Sequence, residues 1–283
     1  MIIWIASYPK SGNTWVRSLL STYLHSNDGN FNFNLLKNIL KFPSKKYLNY
    51  FLEDFSDIKK VSKYWIAAQE RMNLFNENKS MLLKTHSALC TLENNSFTNK
   101  NNTQAVIYVV RDPRNVVTSI SNHYSIDIKE SYNFISSKTK ILSDNKWGSE
   151  DFGIIEILGS WSDHYNSWKN IKFAPIIIIK YENLINDTKN SLEKIINFLQ
   201  KFINVKIDDK KILKTVESCN FKNLRKMEES EGFQEAAYSE KLKRKVNFFN
   251  LGQKNNWKNL LDPKIEKKIR MTFEKEMKEL NYI

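Results

Sequence analysis

Three short stretches of this sequence bring together residues able to hold an anion and to move a proton. The first is Tyr8-Pro9-Lys10-Ser11-Gly12-Asn13-Thr14-Trp15. Gly12 permits a tight backbone turn. Where such a turn joins a strand to a helix, successive free N–H groups at the helix start form an anion cradle. Lys10 adds a full positive charge, and Ser11 and Thr14 add hydroxyl donors, which is chemistry suited to a phosphate or a sulfate. The Walker pattern is not met. It places Lys directly after its second Gly, followed by Ser or Thr, with another Gly several residues earlier. Here Lys10 precedes Gly12 and no glycine comes before it. The hydroxyl that holds Mg²⁺ in that pattern is therefore not reproduced. An ordinary strand–turn–helix with a solvated lysine remains the plain alternative.

The second stretch is Val110-Arg111-Asp112-Pro113-Arg114, continuing to Ser119. Arg111 offers a planar fork for phosphate oxygens, and Ser119 adds a hydroxyl. A local pair between Arg111 and Asp112 is the simpler reading. The third stretch, Leu83-Lys84-Thr85-His86, holds one of the chain's four histidines. A lone histidine at a strand end is more often structural than catalytic, so its weight depends on what lies beside it.

Four apolar, β-branched runs read as buried strands: Ile2 to Ala6, Met81 to Leu83, Ala105 to Val110 and Ile176 to Ile179. Helical patterns follow them, at Asn13 to Leu24, Pro113 to Tyr124, Trp161 to Trp168, Thr188 to Phe202 and Pro263 to Leu280. This alternation predicts an α/β fold, a central parallel sheet flanked by helices. In such a sheet the ligand crevice lies at the carboxyl ends of the strands. Lys10, His86 and Arg111 all follow strands, so they are expected to converge. His25 and His123 follow none and read as structural or surface residues. Stretches 27–62, 127–152 and 228–247 are polar and irregular, the usual place for substrate loops and lids.

The chain has 283 residues, 41% hydrophobic and 27% charged, as a globular protein does. No apolar run approaches the length that spans a membrane. Its opening lacks the basic segment of a secretory signal. Two cysteines, Cys90 and Cys219, make neither a disulfide framework nor a zinc site by themselves. The cytoplasm is the expected compartment. The net charge of +13 suits nucleic acid, an anionic membrane or an anionic small ligand, or else reflects a lean toward Lys and Asn.

Taken together, the stretches resemble those of the sulfotransferases that use 3′-phosphoadenosine 5′-phosphosulfate (PAPS), of the cytosolic type. Tyr8 to Trp15 is similar to the family's 5′-phosphosulfate loop. Arg111 and Ser119 match its 3′-phosphate motif, and Lys84-Thr85-His86 resembles its catalytic segment. The resemblance implies a P-loop-like sulfotransferase fold in one domain, residues 1–283, with acceptor or lid insertions around 27–80, 127–152 and 228–247. It implies PAPS as co-substrate and 3′-phosphoadenosine 5′-phosphate (PAP) as product, with no metal. Lys10, Ser11, Gly12, Asn13, Thr14 and Trp15 would then hold the donor, with Arg111, Ser119, Tyr181, Phe221 and Gly252. Trp15 would stack on adenine and Tyr181 would bond it. His86 is the implied general base, with Lys10 and Lys84 stabilising charge as the sulfuryl group moves in line.

Departures are visible too. Asn183 stands where the family has Asp, and Cys219 where it often has a hydroxyl. Asn250-Leu251-Gly252 lacks the usual Arg-Lys before the glycine, so Lys254 or the Arg244-Lys245 pair is the expected substitute. The acceptor is expected to be a hydroxyl, or an amine, on a small molecule, glycan or lipid, with no specific nucleic acid partner and no transmembrane segment. The oligomeric state is not legible. A nucleotide or small-molecule kinase is the rival enzyme, and a non-enzymatic polyanion- or RNA-binding protein the rival from outside enzymology.

Overall fold

The computed structural model describes residues 1–143, 151–239 and 243–283. Residues 144–150 and 240–242, inside two of the expected insertions, lie outside the described residues. Five parallel strands form the central sheet: β1 (Ile2–Ser7), β2 (Leu40–Lys41), β3 (Met81–Thr85), β4 (Thr103–Val110) and β5 (Ile176–Lys180). Their order across the sheet is β2-β3-β1-β4-β5. All neighbours run parallel, with Ile5 opposite Lys84 on one side and Ile107 on the other.

Alternation along the strands explains why both faces are buried. Ile2, Trp4 and Ala6 point to one face, with Val106, Tyr108 and Val110, and meet Trp65, Trp161 and Trp168. Ile3 and Ile5 point to the other, with Ala105, Ile107 and Val109, and meet Val16, Leu19, Leu192 and Ile196. A parallel sheet covered on both sides reads as nearly continuous apolar runs, which is how these strands are found in the sequence.

From β1 the chain leaves toward β3, whereas from β4 it leaves toward β5. The crevice between the carboxyl ends of β1 and β4 is the point where the winding reverses. Helix α1 (Asn13–His25) follows β1, and α2 (Pro113–Tyr124) follows β4. Proline at the first position and the Asp112 side chain, accepting from Arg114 N–H, set the start of α2. Gly12 precedes α1 in left-handed geometry (φ 104°), with no side-chain cap on that helix.

Several expectations are corrected. The stretch 27–62 contains β2, whose two residues are too short to show a period. The stretch 127–152 contains a helix, Ile128–Ser136, whose Asp127 and Glu130 form a capping box. The expected C-terminal helix is two, Pro263–Thr272 and Glu274–Glu279. Between them Phe273 leaves helical geometry, and its buried ring packs 5.4 Å from that of Trp161. The helix expected over Thr188 to Phe202 ends at Leu199.

Candidate active site

A cavity of about 1670 Å³ opens at the carboxyl ends of the strands. Lys10, Lys84, His86, Arg111 and Ser119 all border it, as the strand-end argument expects. Eight lysines and arginines line it against three carboxylates, so it is a strongly positive crevice.

The loop after β1 and the end of β4 are joined directly. Arg111 donates from Nη1 to the Lys10 carbonyl at 3.1 Å. Its guanidinium lies 4.1 Å from the centre of the Tyr181 ring, and its buried Nε has no partner. Asp112 pairs with Arg114, not Arg111 (Nη2–Oδ2 2.7 Å), so the arginine at the strand end keeps its fork for something else. Tyr181, the first residue after β5, also lies against Gly12. A Cβ at Gly12 would sit 2.5 Å from that ring. Trp15 meets Tyr181 edge-on at 5.8 Å and donates from its indole to the Cys219 carbonyl. Gly252, also at the cavity border, repeats the arrangement: a Cβ there would sit 2.7 Å from the Phe221 ring. These two close approaches put two aromatic side chains and an unsatisfied guanidine N–H at the border of the cavity, groups able to meet a flat ring and an anion.

Other members of the phosphate loop divide by role. Thr14 faces the cavity. Asn13 borders it but donates to the Ile5 carbonyl and the Ser7 hydroxyl, fixing the loop to β1. Ser11 is fully buried, is not among the lining residues, and its Oγ has no partner. The structure thus places it behind the cradle rather than in it. Lys10 adopts a left-handed backbone (φ 65°) and sets its ammonium 3.7 Å from the centre of the Phe248 ring. Burial brings its pKa down to about 7; nearby Glu235 opposes that shift, and Arg111 and Lys84 add to it.

His86 is held from three sides. Its Nδ1 lies 2.8 Å from the Ser7 carbonyl. A carbonyl only accepts, so Nδ1 carries the hydrogen and Nε2 keeps its lone pair. The backbone N–H of His86 donates to buried Glu156 at 2.8 Å. Its carbonyl accepts from His164 Nε2 at 2.9 Å, and Tyr108 O–H donates to Nδ1 of His164 at 2.8 Å. Burial, reinforced by the Lys84 charge, lowers the His86 pKa to about 3, so the ring is neutral at ordinary pH.

His123, Arg17, Glu156 and Glu235 are among the lining residues that sequence reasoning did not find. His123, expected to be structural or at the surface, borders the cavity with a buried Nδ1 that has no partner. Arg17, Glu156 and Glu235 were not singled out at all. Spacing held a signal for two of them: Arg17 lies three residues after Thr14, and His123 four after Ser119, on the same helix faces. Of the expected substitutes for the missing Arg-Lys, Lys245 lines the cavity and Lys254 does not. Cys219 is buried, with its sulfur 3.4 Å from the Thr22 hydroxyl, away from the cleft.

Comparison with known proteins shows the family and the fold. The sulfotransferase domain family matches residues 2–281. The chain is 26% identical over 273 residues to cytosolic sulfotransferase 7 of Arabidopsis thaliana, covering 95% of this chain and 77% of that one. It is 27% identical over 237 residues to the 3-beta-hydroxysteroid sulfotransferase of Cavia porcellus, covering 80% and 71%. A mouse sulfotransferase crystallised with PAP shares the fold with a TM-score of 0.58 at 21% identity, over 97% of this chain and 83% of that one. The chain belongs to the sulfotransferase family and is a PAPS-dependent enzyme. That membership sets aside the kinase and polyanion-binding readings. No helix among the described residues is long and apolar enough to cross a membrane.

Proposed function

We propose that the crevice between β1 and β4 binds PAPS and transfers its sulfuryl group to an acceptor hydroxyl, with His86 as general base. The observation that carries this is the bond from His86 Nδ1–H to the Ser7 carbonyl. It fixes the tautomer that leaves Nε2 free as a proton acceptor on a ring bordering the cavity. Lys10, Thr14 and the backbone at Gly12 would face the 5′-phosphosulfate, with Ser11 behind them, and Arg111 with Ser119 would face the 3′-phosphate. Trp15, Tyr181 and Phe221 would enclose the adenine, with Gly12 and Gly252 allowing the rings their close approach.

In the reaction the acceptor oxygen bonds to sulfur as the bond from sulfur to the 5′-phosphate oxygen breaks. The acceptor proton passes to Nε2 of His86, and PAP departs with the electron pair of the broken bond. Lys84, one residue before Thr85 at the end of β3, and Lys10 offset the charge that gathers on the leaving oxygen. Preorganised donors of this kind are each worth roughly 10²–10³ in rate. The expected insertions supply acceptor-side walls: Lys41 and Lys46 from the first, Leu142 from the second, Tyr238 from the third. An amine acceptor is the alternative within the same chemistry. The relatives include an amine sulfotransferase of Oryctolagus cuniculus, 23% identical over 287 residues.

His86→Ala tests the assignment. Turnover with labelled PAPS should fall by roughly 10²–10⁴, the usual worth of a general base, while PAP affinity stays within about twofold of wild type. Retained turnover would remove His86 from the mechanism. Lost PAP binding would make it a binding residue instead.

A further inference from the structure

The segment that follows the helix Phe221–Glu231 returns to the cleft and places Glu235 there, just before the strand Ala237–Ser239. Its carboxylate accepts three hydrogen bonds. Thr14 donates from Oγ1 to Oε2 at 2.6 Å. Arg17 and Lys84 both donate to Oε1, at 2.5 Å and 3.2 Å. Arg17 and Lys84 are nearly buried, whereas the Glu235 side chain is 27% exposed, so the cations are fixed parts of the floor and the carboxylate comes down on them from the cleft. Burial by itself would raise the Glu235 pKa, but Lys84, Arg17 and Thr14 hold it well below the usual carboxylate range. It is an anion in the protein as it stands.

Two of those three donors, Thr14 and Lys84, are groups assigned above to the 5′-phosphosulfate end of the donor. A carboxylate on a tether is the nearest thing a protein has to a phosphate oxygen pair. Without Glu235, Lys10, Arg17, Lys84 and Arg111 would border one crevice with only Asp151 and Glu156 as carboxylates, and Glu156 is already paired with Lys41. When a donor arrives, its own oxyanions must compete for the same N–H and O–H groups. We propose that Glu235 is an internal counter-anion seated where the 5′-phosphosulfate binds, and that it sets donor affinity because the donor has to displace it. The proposal rests on the reading of this crevice as the PAPS site. It has a use in turnover: the carboxylate stands ready to take back its donors as PAP leaves, which opposes product trapping.

Glu235→Gln keeps the size of the side chain and removes its charge. Calorimetric titration of wild type and variant with PAP, adenosine 5′-monophosphate and adenosine 3′-monophosphate separates the possibilities. The variant should bind PAP about tenfold more tightly, equivalent to about 1.4 kcal/mol. It should gain similarly for the 5′-monophosphate, which reaches the same seat. The 3′-monophosphate, which does not reach it, should bind both proteins alike. Glu235→Ala removes the same charge with a smaller side chain and should shift affinity in the same direction. PAP binding that is unchanged or weaker in both variants overturns the proposal. So does an equal gain for the 3′-monophosphate, which would mark a diffuse field rather than an occupied seat. A wild type that binds PAP no better than the 3′-monophosphate would instead defeat the donor-site reading, and this proposal with it.

Discussion

At the scale of single residues, burial gives Lys10 and His86, two of the ionisable groups of the proposed transfer site, unusual resting states. Lys10 lies near pKa 7 in the free protein. Donor oxyanions beside it would return it toward its ordinary value of about 10.4. Between those two values the free protein lacks a proton that the complex holds, so binding takes one up and affinity falls as pH rises. PAP titrations from about pH 6.5 to 9 should therefore show Kd increasing by up to about tenfold per pH unit above pH 7, the limit for one linked proton. Lys10→Arg, whose side chain does not deprotonate, should flatten the profile; a wild-type profile already flat would mean that Lys10 is not the linked group. His86 carries the opposite expectation. With its pKa lowered to about 3, the free enzyme holds it neutral throughout the mildly acid range. Since kcat/KM reports the free enzyme, its profile should show no acid limb near the ordinary histidine value of about 6.5. Lys10, Lys84, His86 and Arg111 were legible because each lies at or just beyond a strand end in a recognisable motif. Glu235 was not, because nothing in its neighbours' spacing marks it. What makes it part of the site is contact with Thr14, Arg17 and Lys84, more than 150 residues earlier in the chain.

Among the elements, the turn at Gly12 matters most, because it combines a left-handed backbone with a ring pressed against it. An alanine there would meet both penalties: the φ of 104° and a Cβ 2.5 Å from Tyr181. The ring would have to move, and with it the stack on Arg111 and the edge contact with Trp15. Gly12→Ala should weaken PAP binding by at least about tenfold. Left-handed geometry alone costs an L-residue roughly 1–2 kcal/mol, so some stability goes as well. Gly232→Ala is the matched control, since Gly232 also has positive φ (74°) but nothing within 4 Å of its missing Cβ. It should lower the melting temperature and weaken PAP binding far less than Gly12→Ala does. If both variants bind PAP equally well, the Tyr181 contact does not shape the site. Element recognition from sequence followed the same physics. Long periodic runs such as Pro113–Tyr124 were found, with the proline marking the start; the Asp112 cap there is seen in the structure. The two-residue β2 was missed because pairing with Leu83 and Lys84, not local pattern, makes it a strand. The helix behind Asp127 was missed despite a capping signature that was there to be read.

For the whole molecule, a central β1 flanked by β3 and β4 explains why three motifs spread over more than 100 residues meet at one crevice. The crossover connections that cover both faces of the sheet also give its strands their common direction, and hence the common end at which Lys10, His86 and Arg111 emerge. The same arrangement ties ligand binding to global stability. The proposed donor touches loops after β1, β3, β4 and β5 and the late segment around Gly252, so it would bridge parts of the chain that unfolding separates. Any ligand that binds the native state alone stabilises it by mass action, by about 2.7 kcal/mol at a hundred times its Kd. In a protein somewhat larger than 250 residues, each kcal/mol raises the melting temperature by roughly 2 °C. PAP at that excess should raise it by about 5 °C, and adenosine 5′-monophosphate at equal concentration by clearly less, because Arg111 and Ser119 then have no 3′-phosphate to hold. ATP with Mg²⁺ should also fall short of PAP, since the phosphate loop lacks the Walker Lys-Ser/Thr order. Were ATP with Mg²⁺ to stabilise the protein more than PAP, the departures around Gly252 would have rebuilt the crevice for a different nucleotide, and the residue assignments for the 3′-phosphate would have to be withdrawn.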